Sequence, residues 1–140
     1  MSTEQQIIAR ERQALMDLLA AVPLRSIDEN VLIASWNIAQ FSDKKKKRAL
    51  QYIADICERF DIIAIQEVKT NLRGLAKLQE LLPGNYKILV SDPTGNNERM
   101  AFLYDKRTVI STGLVCEITF NGTIASPNVF QFQRSPYCAS

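Results

Sequence analysis

An α+β fold, with a mixed sheet and helices on its outside, is the class this sequence predicts, on three observations. Residues 31–37 and 61–67 are short apolar runs rich in Ile and Val, and a single amphipathic helix pattern separates them. Such an arrangement reads as a βαβ unit, whose crossover makes the two strands parallel. A second helical pattern follows, and after Pro83-Gly84 the chain carries only strand-like segments. Helix-linked strands followed by a run of strands give a mixed rather than a purely parallel sheet. At 140 residues, 46% of them hydrophobic, the chain is long enough for one domain with its own core.

Taken in order, residues 5–22 place Leu15, Leu18, Leu19 and Val22 at helical spacing, and Pro23 closes the segment. This helix, with the polar stretch 25–30, reads as an amino-terminal extension (residues 1–30) packed on the domain or on a partner, and residues 31–140 as the domain portion. The helix over 44–60 sets Ala49, Ile53, Ile56, Cys57 and Phe60 on one face. Residues 71–82 repeat the pattern with Leu72, Leu75, Leu78 and Leu82, although Gly74 costs helix stability. Strands are expected over 86–90, 99–104, 109–115, 117–120 and 129–134. The loop 91–97 is dense in Asp, Pro, Gly and Asn, and Asn121-Gly122 marks a further turn. Met100, Phe102 and Tyr104 alternate as core-facing residues of a strand, and Trp36 is also assigned to the core.

Composition excludes several classes. Lys and Arg total 17 against 15 Asp and Glu, so a net charge of +2 does not decide the partner. Three cysteines, Cys57, Cys116 and Cys138, are an odd count without CxxC spacing. They argue against a disulfide framework and a zinc site, and fit a reducing compartment. No secretory signal pattern opens the chain and no apolar run is long enough to span a bilayer, so a soluble, cytoplasmic protein is expected. Histidine is absent altogether. Chemistry here must run on carboxylates, amides, hydroxyls and a hard cation, or part of the machinery is missing.

Asn37 and Glu67 end the two apolar runs. If the strands are parallel, both residues reach the same carboxyl-terminal edge, where open α/β sheets bind ligands. A carboxylate closing an apolar strand is costly to bury unless a partner offsets its desolvation. A divalent cation such as Mg2+ does so with one or two carboxylates, waters and phosphate oxygens; alternatively Glu67 reaches water or bonds Lys69. The Asn37 amide suits a metal-bound water or a phosphoryl oxygen; alternatively it bonds its own backbone two residues on.

These segments carry a resemblance. Residues 33–38 (Ile-Ala-Ser-Trp-Asn-Ile) and 61–68 (Asp-Ile-Ile-Ala-Ile-Gln-Glu-Val) resemble the first two motifs of the endonuclease/exonuclease/phosphatase superfamily, the deoxyribonuclease I-like fold. Residues 98–104 resemble its third block and residues 132–136 the strand beyond it. The resemblance implies part of a four-layer α/β/β/α sandwich. It further implies a phosphoesterase, most simply a nuclease acting on DNA, with Glu67 as Mg2+ ligand and Asn37 as its active-site neighbour, both counted as catalytic and as candidate metal residues; Mn2+ or Ca2+ are the alternative ions. Members of the superfamily continue with a Gly-Asp-x-Asn block and a late Asp-His pair, neither of which occurs here. The expectation is therefore an amino-terminal half-domain, poorly folded and inactive alone, with an exposed apolar sheet face. The carboxyl-terminal half would be its missing partner.

Around this pair stand several basic residues. Lys69 is a candidate phosphate contact or a surface ion pair. Arg134 fits the superfamily's phosphate-contacting arginine or is an ordinary strand-end residue. Glu98 and Arg99 could orient catalytic or phosphate groups, or pair across strands. The run Lys44-Lys45-Lys46-Lys47-Arg48 opposes the helix dipole, so it is either a solvated helix start or a phosphate-backbone contact. Rival functions are a non-catalytic piece that binds nucleic acid or protein, and a phosphoesterase for a phosphoinositide, sphingomyelin or other small phosphodiester.

Overall fold

A computed structural model describes residues 3–95, 97–119, 132 and 134–140. In chain order the elements are α1 (Thr3–Leu19), β1 (Ile33–Phe41), α2 (Lys47–Cys57), β2 (Ile62–Lys69), α3 (Arg73–Leu81), β3 (Tyr86–Val90), β4 (Glu98–Asp105), β5 (Val115–Glu117) and β6 (Tyr137–Ala139). The main sheet runs β1-β2-β4-β3. β1 and β2 are parallel, as a helical crossover demands, and β4 is antiparallel to both β2 and β3. The expected α+β class with a mixed sheet is what the chain forms.

One sheet face packs under α2 and α3. Ile63, Ile65, Ala101 and Leu103 from the sheet meet Leu50, Ile53, Ala54 and Cys57 of α2 and Leu75 and Leu78 of α3. The buried stripe of α2 centres on Leu50, Ile53, Ala54 and Cys57, while Ala49 and Ile56 lie at its margin. On β4 the expected alternation is present with the opposite phase. Ala101 and Leu103 enter the helical core, whereas Met100, Phe102 and Tyr104 are half-buried on the other face. The small Ala101 sits under the helices, and the bulky aromatics take the roomier side. There β5 and β6 form a second, two-stranded sheet, and the Tyr137 ring stacks on Phe102 at 5.5 Å. A helical layer and two facing sheets are thus in place, part of the four-layer sandwich.

Other expectations shift. Residues 109–114 are not a strand; β5 begins at Val115. Arg134 lies in a bend, and most of the expected strand 129–134, like Asn121-Gly122, falls outside the described residues. Trp36 is half-buried against the core rather than within it.

The segment before β1 is tied on by charge. The Arg12 guanidinium on α1 forks onto the Asp55 carboxylate of α2 at 2.8 and 2.7 Å. Arg25 donates to Asp61 Oδ1 at 2.7 Å and to Asp105 Oδ2 at 2.5 Å, and to the Tyr86 hydroxyl at 2.8 Å. Asp61 also accepts the Leu32 N–H and the Thr108 hydroxyl, and Asp105 accepts from Arg107. Burial opposes ionisation of both aspartates, but these donors hold their carboxyls below the usual range.

Candidate active site

The site begins with two interruptions of strand periodicity. Ile63 and Ile65 point into the helical core, so regular alternation would send residue 67 there too. A bulge prevents it: Ile65 pairs with Ala101 and Val68 with Arg99, three steps on β2 against two on β4. Glu67 adopts φ 60°, the left-handed region, and fully buried Val68 fills the core position instead. β1 is interrupted at the same level, with Ala39 at φ 38° and Gln40 at 53° between buried Ile38 and Phe41. Left-handed backbone at non-glycine residues costs on the order of 1–3 kcal/mol each and concentrates at functional sites.

The two bulges form a cradle. Glu67 Oε1 accepts the Asn37 side-chain N–H at 2.8 Å, and Oε2 accepts the Gln40 backbone N–H at 3.1 Å. Asn37 Oδ1 meanwhile accepts the Ala39 N–H at 3.0 Å. The Asn37 oxygen thus bonds its own backbone two residues on, the structural alternative, while its nitrogen orients Glu67. The Asn37 bond, then the Gln40 bond, then the positive charges of Arg134 and Lys69 hold the Glu67 carboxyl below its ordinary value.

Beside the cradle lies a charge cluster. Buried Glu98 pairs in register with Lys69 across β2 and β4 and accepts its ammonium at 2.9 Å. Its second oxygen meets the Arg134 guanidinium at 2.6 Å. Lys69 and Arg134 are thus brought together, both acting on Glu67. Arg99 is engaged elsewhere, donating to the Ser91 carbonyl at 2.7 Å with Asp92 at 3.8 Å. The basic run reaches the site through Lys45, whose ammonium donates to the Ala39 carbonyl at 3.0 Å. Lys45, Lys47 and Lys77, with the acidic Glu80 among them, then line a groove between the start of α2 and the carboxyl-terminal half of α3. Gly74 sets the approach of α3: a Cβ there would lie 2.5 Å from the Ser42 carbonyl carbon. What looks like a weak helix residue is required by close packing on the loop after β1.

A half-buried, ionised carboxylate is a hard oxygen donor. Among the described residues no group of three or more His, Cys, Asp or Glu could enclose a metal ion. A cation such as Mg2+, which keeps waters and takes only one or two protein carboxylates, fits Glu67.

The sequence profile of the Endonuclease/Exonuclease/phosphatase family matches residues 34–133, from β1 to the segment before β6. The chain belongs to this family. Relatives named deoxyribonuclease-1 are 36% identical in Bos taurus over 68% of this chain and 38% of theirs. The Sus scrofa relative is 34% identical over 82% of this chain and 46% of its own. The chain therefore spans less than half the length of these curated relatives.

Reasoning on the sequence did not find the Gln40 N–H, the contact of Lys45 with Ala39, or the central place of Glu98. Backbone donors at a bulge carry no side-chain signal. The cue for Glu98 was its position opposite Lys69, visible only once the register is known.

Proposed function

We propose that this chain supplies the carboxylate side of a divalent-metal-dependent phosphoesterase site that hydrolyses nucleic-acid phosphodiester bonds, DNA in preference. The observation that carries this reading is Glu67, a half-buried carboxylate in left-handed backbone, bonded by Asn37 and Gln40 and flanked by Lys69 and Arg134. Glu67 would hold a divalent cation, Mg2+ in the first instance. When bound, that ion would stabilise negative charge developing on the phosphoryl and leaving oxygens. Asn37 keeps Glu67 oriented and ionised, and its amide stands next to the incoming phosphate. Lys69 and Arg134, fixed by Glu98, offer cationic donors to the non-bridging oxygens. Arg99 supports this surface at one remove, by bracing the loop at Ser91. The deoxyribonuclease-1 relatives favour DNA, and the groove lined by Lys45, Lys47 and Lys77, which Lys45 links to the cradle at Ala39, suits a polyanion longer than one phosphate despite Glu80 on its wall.

The test is Glu67→Gln. Titration calorimetry with Mn2+ on the 140-residue chain should show a single weak site that this substitution removes. In a longer form with nuclease activity, Mg2+-dependent cleavage should fall by a factor on the order of 100 or more. Retained activity refutes the ligand role. The 140-residue chain itself is proposed to be inactive, because the residues that activate water are not among those assigned here. Robust Mg2+-dependent turnover by it would overturn that.

The groove also favours a second reading, a non-catalytic nucleic-acid-binding piece. Salt-dependent binding that ignores EDTA and survives Glu67→Gln would select it.

A further inference from the structure

We propose that Cys116 and Cys138 are a thiol pair that closes to a disulfide by exchange with a low-molecular-weight disulfide, tying β5 to β6. The two residues lie directly opposite one another in the antiparallel β5–β6 ladder. Two residues to either side, the Ser140 N–H donates to the Leu114 carbonyl at 3.0 Å and the Ile118 N–H to Pro136 at 2.9 Å. Hydrogen-bonded pairs recur every second residue in such a ladder, so 116 and 138 also form one, with their Cα atoms about 5.5 Å apart. That Cα spacing lies within the range disulfides bridge, about 4.4–6.8 Å, while the Cβ atoms of a hydrogen-bonded pair stand wider than the about 3.8 Å a relaxed disulfide takes, so the bridge is strained and readily reduced.

The side chains of directly opposed residues share a face. Tyr137, adjacent to Cys138, points the other way and stacks on Phe102 of the main sheet. The cysteine pair consequently faces away from that sheet, and both cysteines are exposed. Cys57 is the opposite case: it is fully buried, and burial, then the neighbouring Glu58, push its thiol up to about 12. It stays protonated and out of reach. An odd cysteine count thus resolves into one inert thiol and one opposed pair.

The exchange needs no group from the protein. One cysteine thiolate attacks the external disulfide and releases one thiol, and the second attacks the resulting mixed disulfide and releases the other. The two protein sulfurs lose two electrons to the external disulfide, which leaves as two thiols. The closed loop contains Arg134, four residues before Cys138, so oxidation would brace the segment that carries this guanidinium to Glu98.

The test treats the whole 140-residue chain, under native conditions, with glutathione disulfide. The expected product is monomeric, has lost two of its three titratable thiols, and is lighter by about 2 Da with no adduct retained. Peptide mapping should place the bridge between Cys116 and Cys138. Cys116→Ser should instead keep one glutathione on Cys138. The oxidised chain should melt a few °C higher than the reduced one, reversibly on adding dithiothreitol, because strain at the bridge offsets part of the loop-closure gain. Persistent glutathione on both cysteines, a bridge to Cys57, intermolecular dimers, or an unchanged melting midpoint would each overturn the proposal.

Discussion

The two ends of β2 hold carboxylates in opposite circumstances. At its amino-terminal edge Asp61, together with Asp105 beside it, is almost fully buried, and its oxygens are taken up by Arg25, Leu32 and Thr108. At its carboxyl-terminal edge Glu67 is accessible and sits on strained backbone. It accepts only two hydrogen bonds among the described contacts. Both carboxyls are held below their ordinary values, so depressed acidity alone does not separate structure from function. The free coordination does. A saturated buried aspartate has nothing left to offer a ligand, whereas half-buried Glu67, with two accepted hydrogen bonds among the described contacts, keeps acceptor capacity for one.

The largest effect that sharpens this contrast is expected at the buried end. Asp61→Ala leaves Arg25, the Leu32 N–H and Thr108 without their acceptor, and should cost about 3–5 kcal/mol in urea unfolding. A loss below about 1 kcal/mol would mean that the cluster is incidental. Next comes Gly74→Ala, whose Cβ would meet the backbone of Ser42 and Asp43. It should cost about 1–3 kcal/mol, and shift the amide resonances of residues 39–43 as the loop after β1 yields.

Acid provides a third test, and its sign follows from the shifts. Asp61 and Asp105 titrate lower in the folded chain than in the unfolded one. Their stabilisation is therefore complete above the unfolded aspartate value near about 3.9 and drains away as pH falls below it. Urea midpoints measured at descending pH should drop in that window, and should drop less in Asp61→Asn. An equally steep loss in the variant would place the acid sensitivity elsewhere.

The smallest effect belongs to the functional end. Glu67→Gly relieves left-handed backbone and removes a half-buried carboxylate whose two donors, Asn37 and the Gln40 N–H, lie on residues open to water. Stability should be unchanged or higher by up to about 1 kcal/mol, while Mn2+ binding in calorimetry is lost. A marked destabilisation would show that Glu67 serves the fold, as Asp61 does, and would break the distinction.

The sequence by itself determined the parallel β1–β2 unit, the helices that cover it and β3 over 86–90, because binary patterning is local and repeats along one element. It also placed Asn37 and Glu67 on one edge, since a right-handed crossover leaves no other choice. The shift of β4 by one residue was not legible: Met100, Phe102 and Tyr104 alternate with Ala101 and Leu103, and both sets are apolar. Neither were the bulges, which put Ala39, Gln40 and Glu67 in left-handed backbone without a glycine to mark them. Arg25, Asp61 and Asp105 meet across 36 and 80 residues of chain, and Cys116 meets Cys138 only through strand register. What turned Glu67 outward from the core was the tertiary packing of Val68 beneath the helices. That is a long-range demand, which no local pattern records.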